Sequence, residues 1–341
     1  MPRRMPCART ATWAFASWTC TRSLTADASA PTVDGVTFGM RRGECFGLLG
    51  HNGAGKTTTV SMLSGLIMPT AGDAYINGHS IRTDMDVIHS SLGVCPQHDL
   101  LWPDVTAAEH LAFYGRLKGL SGEELDKEIA RLLEAVSLTE FGNKGSKTFS
   151  GGMQRRLSIA CSLIGNPAVV FLDEPTTGLD PENRRGVWHV IGEALNNDSI
   201  VVLTTHSMEE AEALSDRLGI MASGKLRAVG TSAHLKGKFG AGYRISLTMD
   251  VDSRDQSADD SDGAVAFVQD LLPAARYLTD ISRGSNHHFE VARDDVDLGV
   301  VFREMEENKQ RIGVADWGLS QTTLEDVFLA INKLYSTNEE E

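Results

Sequence analysis

The chain has 341 residues, which is long enough for two domains of ordinary size. Its formal net charge of −14 excludes a protein that wraps nucleic acid, because contacts with a phosphate backbone require clustered lysine and arginine. No apolar run approaches the roughly 20 residues that a membrane-spanning helix requires, so we expect no span within this chain.

Residues 1–30 form an irregular N-terminal segment that contains several arginines and no acidic residue before Asp27. This composition is typical of a transit peptide, for which Ala28-Ser29-Ala30 would be a processing site. The alternative is a start that was cut or mis-joined from a longer polypeptide, and it is the one that we favour.

A strand, a glycine-rich turn and the start of a helix follow each other over residues 45–66. Cys45–Leu49 is predicted as a buried strand, and the helix dipole adds positive potential to the backbone N–H groups of the turn. Lys56 supplies a charge for the β- and γ-phosphates, and the Thr57 hydroxyl is placed for Mg²⁺. The segment therefore predicts a nucleoside triphosphate site made by Gly50, His51, Asn52, Gly53, Ala54, Gly55, Lys56, Thr57 and Thr58.

Apolar strands alternate with amphipathic helices over residues 31–240, as in α/β proteins with a central, largely parallel sheet. Within this region, residues 100–165 are predicted to form a helical subdomain. The pairs Thr106-x-x-Glu109 and Ser121-x-x-Glu124 each predict a capping box at a helix start.

Ser150-Gly151-Gly152 stands directly before a predicted helix. Ordinary N-capping accounts for the serine alone. Two consecutive glycines suit a helix start that must come close to an anion. This second anion-binding helix start has no obvious ligand within the chain.

Polar residues follow three further predicted strands. Asp173 and Glu174 end the apolar run 169–174, where Asp173 can hold Mg²⁺ through water and Glu174 can polarise a water that attacks the γ-phosphate. His206 follows the strand Ile200–Thr205, and Gln97 follows the strand Leu92–Cys95. Either residue alone would be weak evidence for a functional site. Both gain weight because they occur in this order along the chain, each after a predicted strand.

A small α+β domain is predicted over residues 241–335, followed by an acidic tail at residues 336–341. The aspartate-rich run 250–262 predicts a solvated loop. His287-His288 is predicted to occupy a surface or strand position and not a metal site, because no carboxylate or cysteine cluster accompanies it.

The ordered motif set resembles an ATP-binding cassette (ABC) ATPase domain, and the match covers residues 33–230. The set comprises residues 50–57, Gln97, 150–154, 169–174, Gly178-Leu179-Asp180 and His206. Residues 95–99 and 204–211 resemble the A subfamily of these transporters, whose members mostly move lipids. Residues 319–329 are similar to the end of that subfamily's cytoplasmic regulatory domain. The resemblance implies an α/β P-loop NTPase core with a helical subdomain, followed by a small α+β ferredoxin-like regulatory domain.

The resemblance also implies the roles of the site residues. Two cassettes would sandwich two ATP molecules head to tail, so that the segment with Ser150, Gly151, Gly152 and Gln154 binds ATP held by the opposite subunit. Asp180 would lie at the dimer seam, and His206 would contact the γ-phosphate. Gln97 would sense Mg²⁺ and the attacking water. The partners implied are a second ABC ATPase domain, in the same or a different chain, and polytopic transmembrane domains separate to this chain, which would hold it at the cytoplasmic face of a membrane.

One position departs from the family pattern. Family members usually place an aromatic residue, which stacks on adenine, about two dozen residues before the phosphate loop. Here that position falls near Leu24-Thr25-Ala26, and Trp13 and Trp18 are out of register. The departure is the reason to favour a truncated or mis-joined start over a targeting peptide.

Two functions are therefore expected from the sequence. The first is ATP binding and hydrolysis that power transmembrane transport, with lipids as the expected cargo. The second is a cassette ATPase without a transport role, which remodels a protein assembly or acts as an ATP-gated dimerisation module.

Overall fold

A computed structural model describes the chain at residues 20–22, 32–240, 242–250, 259–279, 282 and 285–336. The chain divides into two compact units, Met1–Thr231 and Ser232–Glu341. The division lies upstream of the boundary expected at residue 240. The reason is that the helix Ser232–Phe239 packs on the last helix of the second unit.

The first unit carries the elements of an α/β domain. In chain order they are β1 (Cys20–Arg22), β2 (Val33–Val36), β3 (Cys45–Leu49), α1 (Lys56–Leu63), β4 (Tyr75–Ile76), β5 (His79–Ser80), α2 (Met85–Ser90), β6 (Leu92–Cys95), α3 (Ala107–Leu117), α4 (Gly122–Ala135), α5 (Gly151–Leu163), β7 (Val169–Asp173), α6 (Pro181–Asn196), β8 (Ile200–Thr205), α7 (Met208–Leu214), β9 (Arg217–Ala222) and β10 (Lys225–Gly230). Of the segment 1–30, only β1 is described, and it pairs antiparallel with β2.

The central sheet has the strand order β10-β9-β3-β8-β7-β6. All neighbours in it are parallel except the β9–β10 pair. The prediction of a largely parallel sheet is thus confirmed. Because parallel strands end at the same edge of a sheet, the segments after β3, β7 and β8 meet at one place.

Both faces of this sheet are covered, which buries its strands on two sides. In β7, Val170 and Leu172 belong to one apolar core, and Val169 and Phe171 belong to the other. The first core is shared with helices α3 to α6, and the second with α1 and β2. This double burial fixes the position of the polar residues at the strand ends.

The helical subdomain consists of α3, α4 and α5, together with the short 3₁₀ helices Thr139–Phe141 and Ser146–Thr148. The capping box at Thr106 is confirmed, because its side chain and that of Glu109 bond reciprocally to backbone N–H groups. The box predicted at Ser121 is wrong, since the Ser121 side chain makes no cap hydrogen bond. The left-handed conformation of Gly122, with φ of 58°, redirects the backbone there.

The second unit is built around an antiparallel sheet of order β12-β13-β11-β14. Its elements are α8 (Ser232–Phe239), β11 (Tyr243–Met249), α9 (Asp259–Leu271), β12 (Arg276–Tyr277), β13 (Asn286–Val291), α10 (Leu298–Asn308), β14 (Val314–Gln321) and α11 (Leu324–Ser336). From β11 to β14 the chain follows the β-α-β-β-α-β order of ferredoxin-like domains.

Two smaller predictions concern this second unit. The solvated-loop prediction for residues 250–262 is wrong at its end, because α9 begins at Asp259, while residues 251–258 lie outside the described part. His287 and His288 lie in β13 as predicted, and no group of three metal-ligating side chains occurs in the described chain.

No helix in the part of the chain that the structure describes combines the length and the apolar character needed to cross a bilayer.

Candidate active site

The loop between β3 and α1 has a backbone that only glycine permits at two positions. Gly55 has φ of 98°, and a Cβ there would lie 2.9 Å from the Thr32 carbonyl oxygen. A Cβ on Gly50 would lie 2.7 Å from the Met221 carbonyl oxygen. The loop therefore packs its backbone directly against neighbouring segments, with its N–H groups at the start of α1.

Lys56 is the first residue of α1, and its side chain is buried. Its ammonium donates hydrogen bonds to the carbonyl oxygens of Gly50 (2.7 Å) and His51 (3.3 Å) and lies 3.8 Å from Glu174 Oε1. Burial lowers the pKa of Lys56, while Glu174 and Asp173 act in the opposite direction. A buried cation with few anionic contacts is suited to a phosphate ligand.

Asp173 ends β7 next to the phosphate loop. Its Oδ1 accepts hydrogen bonds from the Thr57 hydroxyl, at 3.3 Å, and from the Thr204 hydroxyl. Carboxylate and hydroxyl oxygens are the ligand atoms that Mg²⁺ prefers, and here they come from two different chain segments. Thr57 and Asp173 thus fit a magnesium site. Thr204, at the end of β8, was not predicted from the sequence.

Glu174 follows β7 in a left-handed backbone conformation, with φ of 49°. Such a conformation costs a non-glycine residue about 1–2 kcal/mol and must be held by its surroundings. The Glu174 N–H is bonded to the Thr204 carbonyl (3.1 Å) and hydroxyl (3.0 Å). Glu174 Oε2 accepts from the Thr177 hydroxyl at 3.2 Å and lies 3.2 Å from Nδ1 of His206. The carboxylate is buried, whereas His206 is half-exposed.

The structure therefore brings together residues that are far apart in the sequence. Lys56 and Thr57 follow β3, and Asp173 and Glu174 lie at and just after the end of β7. His206 follows β8, which lies between those two strands. Gln97 follows β6 at the edge of the sheet. The Gln97 side chain is exposed, and it takes no part in the hydrogen bonds described above for Lys56, Asp173 and Glu174.

Ser150, Gly151 and Gly152, which we call the Ser150 turn, start helix α5. The Ser150 side chain accepts a hydrogen bond from the Met153 N–H at 3.3 Å. Gly151 is exposed, and a Cβ added to it would meet open space. Gln154 points back into the helical subdomain, where its amide donates to the Ser146 carbonyl at 3.2 Å. The turn thus presents glycine backbone at a helix start to solvent.

Asp180 is the N-cap of α6. Its carboxylate accepts hydrogen bonds from the N–H groups of Asn183 (2.9 Å) and Glu182 (3.1 Å). The bonds with Asn183, foremost, lower the pKa of Asp180. Within this chain the residue stabilises the first turn of α6.

Leu24-Thr25-Ala26, where the family's adenine-stacking aromatic residue would fall, and the out-of-register Trp13 and Trp18 lie outside the described residues.

Comparisons with known proteins bear on this arrangement. The family model described as "ABC transporter" matches residues 33–177. ABC transporter A family member 5 of Arabidopsis thaliana is 46% identical over 301 residues, which are 88% of this chain and 31% of that protein. A solved ATP binding subunit of an ABC transporter has a TM-score of 0.62 and 29% identity, over 66% of this chain and 93% of its own. A dimeric bacterial ABC transporter cassette has a TM-score of 0.59 and 25% identity, over 64% and 98%.

The chain carries an ABC transporter ATP-binding domain of the A subfamily. Its fold is that of the P-loop ABC ATPases, a family of ATP hydrolases. The matched region makes up about a third of the length of the curated relatives.

Sequence reasoning missed an extensively bonded side chain in the described part of the ABC domain. Arg155, in the second turn of α5, is 4% exposed. Its guanidinium donates to one carboxylate and to five carbonyl oxygens, which belong to the segment after β6 and to the end of β7 with the two residues after it. They are Asp99 Oδ1 (3.1 Å), Pro96 O (2.6 Å), Gln97 O (3.3 Å), Asp173 O (2.7 Å), Glu174 O (3.0 Å) and Pro175 O (2.9 Å). Helical periodicity could have found it, because Arg155 shares a face of α5 with Ile159 and Ser162.

A second missed residue of the ABC domain is Glu210, in α7, which is buried. Its Oε1 accepts a hydrogen bond from the Thr176 hydroxyl at 2.7 Å. Glu210 thereby links the segment after β7 with the helix that follows His206. Burial raises the pKa of Glu210, and hydrogen bonds from Thr205 and Thr176 act against this shift.

We expect Glu210→Gln to stabilise the protein at neutral pH. Because the folded-state pKa of Glu210 is raised, its ionisation opposes folding, and this penalty grows as pH rises from the unfolded pKa through the folded one. Glutamine keeps an acceptor for Thr176 without the charge. Melting curves should show a higher Tm for the variant at pH 8, at about 2–4 °C per kcal/mol gained, and a gap that closes near pH 4.

Glu209→Gln is the matched control, because Glu209 lies on the same turn with a side chain that is 73% exposed. Its Tm should follow that of the parent at every pH. A difference in Tm between Glu210→Gln and the parent that stayed constant from pH 4 to pH 8 would contradict the role of ionisation.

Proposed function

We propose that this chain is the nucleotide-binding part of an A-subfamily ABC transporter, in which ATP binding and hydrolysis drive the transport of lipids across a membrane. The observation that carries the proposal is the meeting of Lys56, Thr57, Asp173, Glu174 and His206 at the ends of three adjacent parallel strands. A phosphate-binding loop, a pair of magnesium-type oxygen ligands and a buried carboxylate are the parts that nucleoside triphosphate hydrolysis requires.

The residues act on ATP in distinct ways. Lys56 and the N–H groups of the loop bind the β- and γ-phosphates, in place of the carbonyl contacts that Lys56 now makes. Thr57, Asp173 and Gln97 would hold Mg²⁺, which neutralises phosphate charge when it is bound. The Glu174 carboxylate accepts a proton from the attacking water. His206, whose Nδ1 lies 3.2 Å from Glu174 Oε2, would donate a hydrogen bond to the γ-phosphate.

The Ser150 turn would act on the nucleotide of a second ABC ATPase domain, with Gln154 supporting the turn and Asp180 at the seam. The exposure of this glycine-rich helix start supports the proposal, because its N–H groups are available to an anion from outside the chain. One solved relative is described as a dimeric cassette. The second domain can be another copy of this chain or a different one.

A groove of about 530 Å³ supports the proposal that this chain contacts the cytoplasmic face of a polytopic membrane protein. The groove lies beside Pro96, and Leu100 and Leu117, which line it, are largely exposed. Such exposed apolar side chains are typical of a protein-binding surface. The lipid cargo and a regulatory role for the second unit rest on the A-subfamily membership.

Affinity purification from native membranes tests the proposal. The chain should retain a polytopic membrane protein, and Leu100→Glu with Leu117→Glu should release it. Leu66→Glu, at a residue of the same unit that is 71% exposed but outside the groove, is the matched control and should retain it. Recovery of a soluble complex alone, unaffected by the groove variants, would favour the remodelling function instead.

A further inference from the structure

We propose that Arg155 is a positioning residue that couples the two halves of the nucleotide machinery, so that contact of the Ser150 turn with a partner's ATP orients Glu174 and Gln97 in the same chain. This inference rests on the proposed function, and it adds to it a route for cooperation between two ATP sites.

The Ser150 turn and Arg155 lie close together on one helix, α5. Ser150 caps α5, and Arg155 follows in the second turn of the same helix. An α-helix rises by only about 1.5 Å per residue, so the two residues are close along the helix axis. The intervening Gln154 N–H is bonded to the Ser150 carbonyl at 2.9 Å. Because a hydrogen-bonded helix of this length moves as one piece, a force on the Ser150 turn displaces Arg155 with it.

Arg155 donates hydrogen bonds to acceptors on two different segments of the chain. One nitrogen, Nη2, donates to the carbonyls of Asp173 and Glu174, at 2.7 and 3.0 Å. Another, Nη1, donates to the carbonyls of Pro96 and Gln97, at 2.6 and 3.3 Å. A single buried group thus touches the backbone of the two segments that carry the proposed general base and the proposed magnesium sensor.

The geometry of the Arg155 guanidinium allows it to hold two segments at once. A guanidinium is planar and offers its N–H donors in a fixed fork, whereas a lysine ammonium is a flexible point charge. A buried charge is tolerated here because carbonyl dipoles and the Asp99 carboxylate surround it. The fork holds both segments at fixed positions relative to α5, which a lysine at residue 155 would not do.

Reciprocity follows from these contacts. If binding of the Ser150 turn to a partner's ATP stabilises one position of α5, that position also stabilises Glu174 and Gln97 in their ordered arrangement. A nucleotide that orders Glu174 and Gln97 then stabilises the same position of α5. Two sites linked in this way hydrolyse ATP with a Hill coefficient above 1, up to a limit of about 2 for two sites.

The experiment compares the full chain with Arg155→Met and Arg155→Lys under steady-state ATP hydrolysis. We expect Arg155→Met to lower kcat at least tenfold, to leave KM within about threefold of the parent, and to bring the Hill coefficient to 1. Arg155→Lys keeps the charge and should show the same loss of cooperativity with a smaller drop in kcat. Arg156→Met and Arg156→Lys are the matched controls, because Arg156 adjoins Arg155 but bonds to Val136 and Ser137 instead.

A second readout does not require turnover. In the parent chain, ADP should slow amide hydrogen exchange at residues 150–154, and in both Arg155 variants this protection should disappear while ADP still binds. If Arg155→Met fails to fold, as judged by its melting curve, both ATP hydrolysis and hydrogen exchange are measured on Arg155→Lys alone.

Three results would overturn the inference: unchanged kcat and cooperativity in both variants, a drop in kcat without any change in the Hill coefficient, or a parent that hydrolyses ATP without cooperativity. These leave the proposed function intact. A parent that binds ADP with coupled protection at residues 150–154 but never hydrolyses ATP would instead remove the proposed function and keep the coupling.

Discussion

Glu174→Gln should stop ATP turnover while ATP still binds. Glutamine has the size of glutamate and can accept the hydrogen bond from Thr177, but it cannot take a proton from water. Loss of a general base typically lowers a rate by about 10²–10⁴-fold. Phosphate release should fall by this factor, and light scattering with Mg²⁺ and ATP should show a dimer that accumulates because ATP is no longer consumed.

Glu140→Gln is a suitable control, since Glu140 is an exposed residue of the helical subdomain. It should hydrolyse ATP at the parent rate and form no lasting dimer. Hydrolysis by Glu174→Gln at the parent rate would show that another group accepts the proton.

Lys56→Met should remove nucleotide binding as well as hydrolysis. The Lys56 ammonium is buried and has carbonyl groups as its closest partners, so its exchange of these for phosphate oxygens is favourable. Hydrogen bonds to charged groups contribute about 1.5–3 kcal/mol each. The dissociation constant for ATP, measured by calorimetry, should rise roughly 10–150-fold even for one such bond.

Lys127→Met provides the comparison, because Lys127 is a surface lysine that pairs with Glu123. Its affinity for ATP should equal that of the parent. Tight binding of ATP by Lys56→Met, with only kcat reduced, would limit Lys56 to the hydrolytic step.

The parts of the fold that were predictable are those in which short-range patterns decide the structure. Cys45–Leu49 and the first four residues of Ile200–Thr205 are continuous apolar runs, and strands buried on both faces require such runs. Thr106 and Glu109 cap α3 through groups three residues apart, which is a local arrangement. The same local rule failed at Ser121, because the left-handed Gly122 changes the path of the backbone.

The parts of the site that were not predictable depend on contacts between distant segments. Arg155 bonds to Pro96, 59 residues away in the chain, and Thr204 bonds to Asp173 across two neighbouring strands. Nothing in the residues next to Arg155 shows which carbonyl groups it will meet. Its place on the buried face of α5 could have marked it as a charge that needs partners, but not which ones.

The backbone at Glu174 has a consequence for anyone who copies this pair of acids into another protein. In an extended strand, adjacent side chains emerge on opposite sides of the sheet. The left-handed step at Glu174, with φ of 49°, ends that alternation, so that Asp173 reaches Thr57 while Glu174 reaches Lys56. An aspartate and a glutamate grafted onto a straight strand would be separated by the sheet itself, and a designer would have to transplant the bend together with the two carboxylates.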